Sequence, residues 1–262
     1  HQENVHLNSL EKIFVCSQWA KEVVVNMVGD RFVNDCHVAP LGVDRFIFFE
    51  QNIEPWEETR FINIGKWEVR KGHDVLIEAF EKAFEPEDNV KLIMMNDNPF
   101  LNEEQTREWV DMYKNSKVGD KVQFVPRVST HEEVAHVMRQ TDCGVFPSRG
   151  EGWNLEAIEM MSCGKQVIIT DYSAHTEFCN EKNSLLVNID NKEDAYDGIW
   201  FHGQGRWAEI AEPQVDQIVE HMRAVHKAKQ ETGKIRNAAG VQTAADFSWE
   251  NTCNSILAGL SS

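Results

Sequence analysis

From residue 60 onward the chain repeats one pattern, a short apolar run followed by a stretch with helical spacing. Phe61-Ile62-Asn63-Ile64-Gly65 reads as a strand, and residues 72–84 place Val75, Leu76, Ala79, Phe80 and Ala83 on one helical face. Residues 90–95 form a second strand, and 103–114 carry Trp109, Val110 and Tyr113 on one side. Val122–Val125 is a third strand, and Ser129 with Glu132 makes a capping-box pattern for a helix through Val134, Val137 and Met138. Cys143–Phe146 is a fourth strand, followed by a helix that carries Glu159. Gln166–Ile169 and Ser184–Val187 complete six strands. Strands that alternate with helices cannot pair as hairpins. They imply an α/β fold with a parallel sheet covered by helices on both faces.

The flanks are less regular. Residues 12–16 read as a short buried strand, Ser17 as the N-cap of a helix through Trp19, Val23, Val24 and Met27, and Gly29 as its stop. Cys36–Asp44 reads as another strand ending in a turn. The acidic stretch 46–58, with Pro55, reads as a linker, and 190–211 as irregular. An amphipathic helix with Val215, Ile218, Val219, Met222 and Val225 follows. A last helix starts near Ser248 and carries Trp249, Cys253, Ile256, Leu257 and Leu260.

Composition narrows the function. The formal net charge is −17, against the basic face that nucleic acid or an anionic membrane needs. A local cluster of cations is therefore informative. The six cysteines form no C-x-x-C pair, which fits free thiols and a cytoplasmic setting. No apolar run reaches the roughly 18 residues of a membrane span, and no signal peptide is visible. The first residue is His1 rather than Met, which fits a processed or trimmed chain.

Two stretches carry chemistry. The first strand ends in Gly65-Lys66-Trp67-Glu68-Val69-Arg70-Lys71-Gly72, with three cations in six residues where such a sheet opens its ligand crevice. With a helix N-terminus behind it, this turn suits a diphosphate, and it equally suits a solvated turn. It is neither a P-loop nor a Gly-x-Gly-x-x-Gly fingerprint, which argues against a nicotinamide oxidoreductase or epimerase. The fourth strand runs into Pro147-Ser148-Arg149-Gly150-Glu151-Gly152-Trp153-Asn154-Leu155, and Glu151 and Glu159 flank seven residues. A carboxylate accepts two hydroxyl hydrogen bonds, as a ribose or hexose offers. Backbone N–H groups of Asn154 and Leu155 can hold a sugar hydroxyl or phosphate oxygen. Alternatively, Glu151 is a helix-terminal acid and Glu159 part of a solvated face.

Taken together, Gly65-Lys66…Lys71-Gly72, Val122–Val125, Pro147-Ser148…Glu151-x7-Glu159 and Gly164-x-x-Val167-Ile168 resemble the donor-binding half of glycosyltransferase family 4. These are retaining enzymes of the GT-B type, built of two Rossmann-like domains. The resemblance covers roughly residues 12–190 and 247–257. It implies transfer of a sugar from a nucleotide-sugar donor, with no metal and no cofactor. Lys66 and Lys71 would grip the diphosphate beside Gly65. Glu159 would bond the ribose, Glu151 would face the transferred sugar, and Arg127 and Val128 would line the base. Trp153 and Asn154 stand where the family often has Phe-Gly, so Trp153, Asn154 and Leu155 would border the sugar. The resemblance divides the chain into a partial acceptor-domain piece (1–45), the linker (46–58), the donor domain (59–190) and a C-terminal segment (191–262) that packs back on the first piece. The acceptor domain's glycine loop and histidine have no counterpart here, so the cleft is completed by sequence beyond this chain or by another chain. The acceptor, whether glycan, lipid or small molecule, is left open, and so is a second reading, a nucleotide-sugar-binding module without turnover. His175 reads as a structural hydrogen bonder. Arg149 reads equally as a phosphate ligand or a loop cap, and Trp200 and Trp207, near His202, as loop packing in preference to a sugar platform.

Overall fold

A computed structural model describes residues 2–262. Its elements are α1 (Gln2–Asn8), β1 (Ile13–Val15), α2 (Gln18–Val28), α3 (Phe32–Asp35), β2 (Cys36–Val38), β3 (Thr59–Gly65) and α4 (His73–Ala83). Then come β4 (Val90–Asn96), α5 (Glu103–Lys114), β5 (Val122–Phe124), α6 (His131–Arg139), β6 (Cys143–Phe146), α7 (Leu155–Ser162), β7 (Gln166–Thr170) and β8 (Leu185–Val187). The chain ends in β9 (Lys192–Tyr196), β10 (His202–Ala208), α8 (Glu212–Thr232), α9 (Ala238–Asp246) and α10 (Trp249–Ser261). Among the described residues, no helix is long and apolar enough to cross a membrane.

The central sheet has the order β5-β4-β3-β6-β7-β8, and every pairing in it is parallel. The chain starts in the middle at β3, steps outward through β4 and β5, then returns to β6 on the other side of β3. Loops leaving β3 and β6 at their carboxyl ends therefore diverge and open a crevice. Alternation along β3 sends Phe61 to one face and Ile62 and Ile64 to the other. Phe61 joins Leu76 and Phe80 of α4 and Ile218 and Met222 of α8. Ile62 and Ile64 join Met138 of α6 and Ile158 and Met160 of α7.

Four expectations need correction. The capping box of α6 is formed by Thr130 and Glu133, not Ser129 and Glu132. Thr130 Oγ1 accepts the Glu133 amide at 3.3 Å, and Glu133 Oε2 accepts the Thr130 amide at 3.0 Å. Thr130→Ala is expected to cost about 1 kcal/mol, a loss of roughly 2–3 °C in a thermal melt. The stretch 190–211 is not irregular, because β9 and β10 pair as an antiparallel hairpin. Only Ala195, Trp207 and Ala208 of its strands are buried, so no period-2 pattern marks it. Gly203 and Gly205, in left-handed backbone conformations, sit where the register shifts. The linker stretch 46–58 carries no helix or strand, but its first part is tied down. Phe48 is buried, Ser162 Oγ donates to its carbonyl at 2.5 Å, and Glu50 pairs with Arg236 at 2.6 Å.

The last correction concerns α10. It starts at Ser248 as expected, but it packs through small residues. Gly259 lies against the Phe14 and His37 rings, and Thr252 donates to the Pro40 carbonyl at 2.6 Å. Trp249, Leu257 and Leu260 stay exposed. Thus α10 meets the β1–β2 pair, whereas α8 remains on the large sheet against α4.

Candidate active site

The site begins where two loops press together. The turn Val69–Lys71 ends at Gly72, with φ of 72°. A Cβ there would stand 2.0 Å from the Pro147 carbonyl oxygen, so close approach and a left-handed backbone both require glycine. The Arg149 amide donates to the Arg70 carbonyl at 2.7 Å, which fixes the β3 loop to the β6 loop. A buried polar network underlies them. His73 reaches the Asn63 side chain at 3.0 Å and shares the Glu68 backbone, and Tyr113 donates to the His73 carbonyl at 2.6 Å. Burial, then Lys71, pushes the His73 pKa down to about 3, so this imidazole is a neutral support.

Above that support lies a charge cluster. Glu151 meets Arg70 at 2.7 Å and Lys71 at 3.1 Å, and it accepts from Ser148 Oγ at 3.1 Å. Burial alone would raise its pKa, but Lys71 and Arg70 overcome that and hold it at about 2. Arg70 also pairs with Glu68, and Lys71 with Glu156 at 3.5 Å. Burial works against the Lys71 charge, and Glu151 and Glu156 more than offset it, so its pKa is raised.

A cavity of about 750 Å³ opens beside this cluster, at the point where the strand order reverses. Four cations line it, Lys66, Arg70, Lys71 and Arg127, against two carboxylates, Asp97 and Glu156. Lys66 and Arg127 form no ion pair among the described residues. Lys66 Nζ lies over the Phe100 ring at 4.9 Å. Glu68 and Glu151 pair with Arg70 and Lys71 from behind, so the cluster balances overall, and Lys66 and Arg127 are the cations left free of ion pairs at its rim. Helix α7 opens at the cavity through Glu156, and of its first-turn amides that of Ala157 is capped by Asn154.

Residues 58–200, more than half of the chain, match the profile of the Glycosyl transferases group 1 family. The chain belongs to this family. A group 1 relative, D-inositol 3-phosphate glycosyltransferase of Mycobacteroides abscessus, is 24% identical over 195 residues, which are 74% of this chain and 37% of that protein. Sucrose-phosphate synthase from Thermosynechococcus elongatus superposes with a TM-score of 0.72 at 20% identity, over 98% of this chain and 59% of its own. Anabaena HepE, solved in complex with UDP-glucose, superposes at 0.74 with 15% identity, over 96% and 64% of the two chains. These structural likenesses establish the shared GT-B architecture. The chain thus spans well under half of that curated relative and about three-fifths of the solved chains.

Within this group 1 chain, the structure gathers Gly65, Lys66, Lys71, Arg127 and Val128 around the one cavity. Glu151 sits behind Lys71 and opens onto a neighbouring cleft. Trp153 does not border either space. It is buried against Phe178 and Phe247, because the turn before α7 aims it into the core. Asn154 has φ of 96° and turns its side chain inward, where Oδ1 caps the Ala157 amide and Nδ2 meets His175 Nε2 at 2.9 Å. Leu155 packs against the lower core, leaving only its backbone toward the loop. Glu159 is buried and is not among the side chains lining the cavity. Its carboxyl has no hydrogen-bond partner among the described residues. Burial first, and Glu156 second, push its pKa up to about 8.

His175 is structural as expected, buried and held by the Thr170 carbonyl at 2.9 Å. Arg149 resolves toward structure. It grips Asp74 with two bonds of 2.8 Å and the Val69 carbonyl at 2.6 Å. Sequence reasoning counted Arg70 as a cation but gave it no role, and passed over Glu156, Asp97 and Phe100. Only the partner geometry distinguishes Arg70, which pairs with Glu151 and lines both the cavity and the neighbouring cleft.

Proposed function

We propose that this chain holds the donor of a glycosyltransferase reaction in the cavity between the β3 and β6 loops, and that the donor is a nucleotide sugar. The observation that carries this reading is the pair Lys66 and Arg127, free of ion pairs among the described residues, set beside Arg70 and Lys71 at the switch point of an acidic chain. A diphosphate is the ligand part that such a cluster complements. The sugar nucleotide bound in Anabaena HepE, on the same fold, supports the assignment. Lys66, Arg70 and Lys71 would face the diphosphate, Arg127 and Val128 the base, Glu159 the ribose and Glu151 the sugar. Residues 59–190 would form the donor unit, with 1–45 and α10 belonging to the acceptor side.

The reaction we infer is a retaining front-face substitution without a metal. As the anomeric carbon–oxygen bond breaks, the departing phosphate oxygen takes the proton of the acceptor hydroxyl. The new carbon–oxygen bond forms on the same face. Charge growing on the departing diphosphate is then met by Lys71, Arg70 and the α7 amides.

Calorimetric titration with UDP-glucose and GDP-mannose, with transfer and donor hydrolysis measured alongside, tests the reading. Micromolar to millimolar binding of one donor with turnover supports it. Binding without turnover, when acceptors are offered, would leave a nucleotide-sugar-binding module, and no binding would remove the reading altogether. Lys66→Ala and Arg127→Ala should each weaken the donor about 3- to 10-fold, because each removes one exposed cation. Both effects should shrink in about 0.5 M salt, where exposed charges are screened.

A further inference from the structure

A second cleft, of about 890 Å³, runs between α2 and the β9–β10 hairpin, and its floor is Gly150, Glu151, Gly152 and Arg70. Arg70 lines both spaces, and Phe100 of the first touches Trp200 of the second, ring centroids 5.7 Å apart. The two are therefore adjoining compartments that meet at the Glu151 cluster.

The walls differ in kind. Trp200 is 48% exposed at the hairpin tip, and half-buried Trp19 of α2 stands edge-on to Tyr172 at 6.0 Å. Exposed polar side chains line the same cleft, Asn26 on α2 and Gln204 on the hairpin. Two of the three cations of this cleft are ion-paired, and the third, Lys192, shares the lining with the Glu22 carboxylate, which opposes an anionic ligand. Arg206 pairs with Asp194 at 2.7 Å, Arg70 is held by Glu68 and Glu151, and Lys192 lies over the Tyr172 ring at 5.3 Å. No unpaired guanidinium awaits an anion, and the polar groups do not suit an acyl chain. A pyranose has an apolar C–H face and a hydroxyl rim. Exposed indole rings together with amides match both. Gly152, with nothing within 4 Å of a Cβ position, keeps the floor open beside Glu151.

We propose that this cleft binds the acceptor, and that the acceptor is a neutral oligosaccharide seated on Trp200 and Trp19. Calling it the acceptor rests on the donor reading above, whereas sugar binding by the cleft does not.

Saturation-transfer NMR on the full chain tests this, with maltotriose, cellotriose and mannotriose as probes and UDP and GDP in parallel samples. At least one trisaccharide should give a signal that falls fivefold or more in Trp200→Ala and in Trp19→Ala. Trp200→Phe should keep at least half of it, and the nucleotide signal should change less than twofold. Circular dichroism confirms that each variant is folded. Absence of a trisaccharide signal in the parent chain overturns the proposal, as does a signal indifferent to both tryptophans. A stronger tryptophan-dependent signal from glucose 6-phosphate would overturn the neutral character. Sugar binding lost with nucleotide binding intact defeats this inference alone. Sugar binding without any nucleotide binding defeats the donor reading alone.

Discussion

Lys71→Ala weakens binding of a nucleoside diphosphate by roughly 10- to 100-fold and makes the protein more sensitive to acid. The first effect follows from a charge-assisted contact in a largely buried setting, worth about 1.5–3 kcal/mol. The second follows from Glu151. Its pKa of about 2 rests first on Lys71 and then on Arg70, against burial that pushes it upward. A carboxyl depressed in the folded state contributes stability that is fully present above its ordinary pKa near 4.5. That stability is lost as pH falls toward 2. Removing Lys71 raises the folded-state value, so part of the contribution disappears at every pH above about 2 and acid unfolding moves upward. Nucleotide titration at pH 7 and an acid-unfolding curve measure the two effects separately. Unchanged nucleotide affinity would take Lys71 out of the donor site.

Glu156→Gln supplies the opposite sign. Glu156 lies 3.5 Å from Lys71 and faces the same cavity, so it both engages the lysine and repels an incoming anion. Its neutralisation should tighten diphosphate binding several-fold. A diphosphate bound away from Lys71 and Glu156 would leave the Glu156 variant at parental affinity. Opposite shifts in the two variants therefore identify where the diphosphate lies, independently of turnover.

The parts of this molecule that were legible in the sequence are those where one local pattern decides the outcome. The inner strands β3, β4, β6 and β7 are apolar runs covered on both faces, and α4 and α7 show helical periodicity against the cores on the two opposite faces, so pattern and packing agree. Gly65, Lys66 and Lys71 could be placed at the crevice because β3 ends there. The hairpin was not legible, because its solvated strands hold few buried residues and its glycines interrupt the register. Nor was α10's contact face. Gly259 and Thr252, not the large apolar side chains, meet the β1–β2 pair. Trp153 and Asn154 illustrate a different limit. Their backbone belongs to the loop before α7, yet a left-handed residue at Asn154 sends both side chains into the interior. Spacing places a residue on a loop, but the backbone angles decide which way it faces.

Glu159→Gln should stabilise the free protein by about 3 kcal/mol at pH 7 while weakening its hold on a nucleotide. In the folded chain the Glu159 pKa stands at about 8, against an ordinary 4.5, because the side chain is largely buried with no hydrogen-bond partner among the described residues, and Glu156 lies one turn away. Between those two values the folded state holds a proton that the unfolded state has released. Stability therefore falls as pH rises from 4.5 to 8, by about 5 kcal/mol in all, and is flat above. Glu151 acts in the opposite direction, but between pH 2 and 4.5, so the two windows are separate. Thermal melts of parent and variant should coincide near pH 4.5 and diverge by pH 8, with the variant higher. Parallel pH profiles would show that Glu159 does not titrate in this range. If ribose hydroxyls donate to Glu159, they favour its ionised form and lower its pKa, so nucleotide binding should release a proton at pH 7. Calorimetric titration in two buffers of different ionisation enthalpy reads that proton directly. No proton release would dissociate Glu159 from the ribose. A carboxyl that costs the free fold this much stability is what a site waiting for hydroxyl donors would retain.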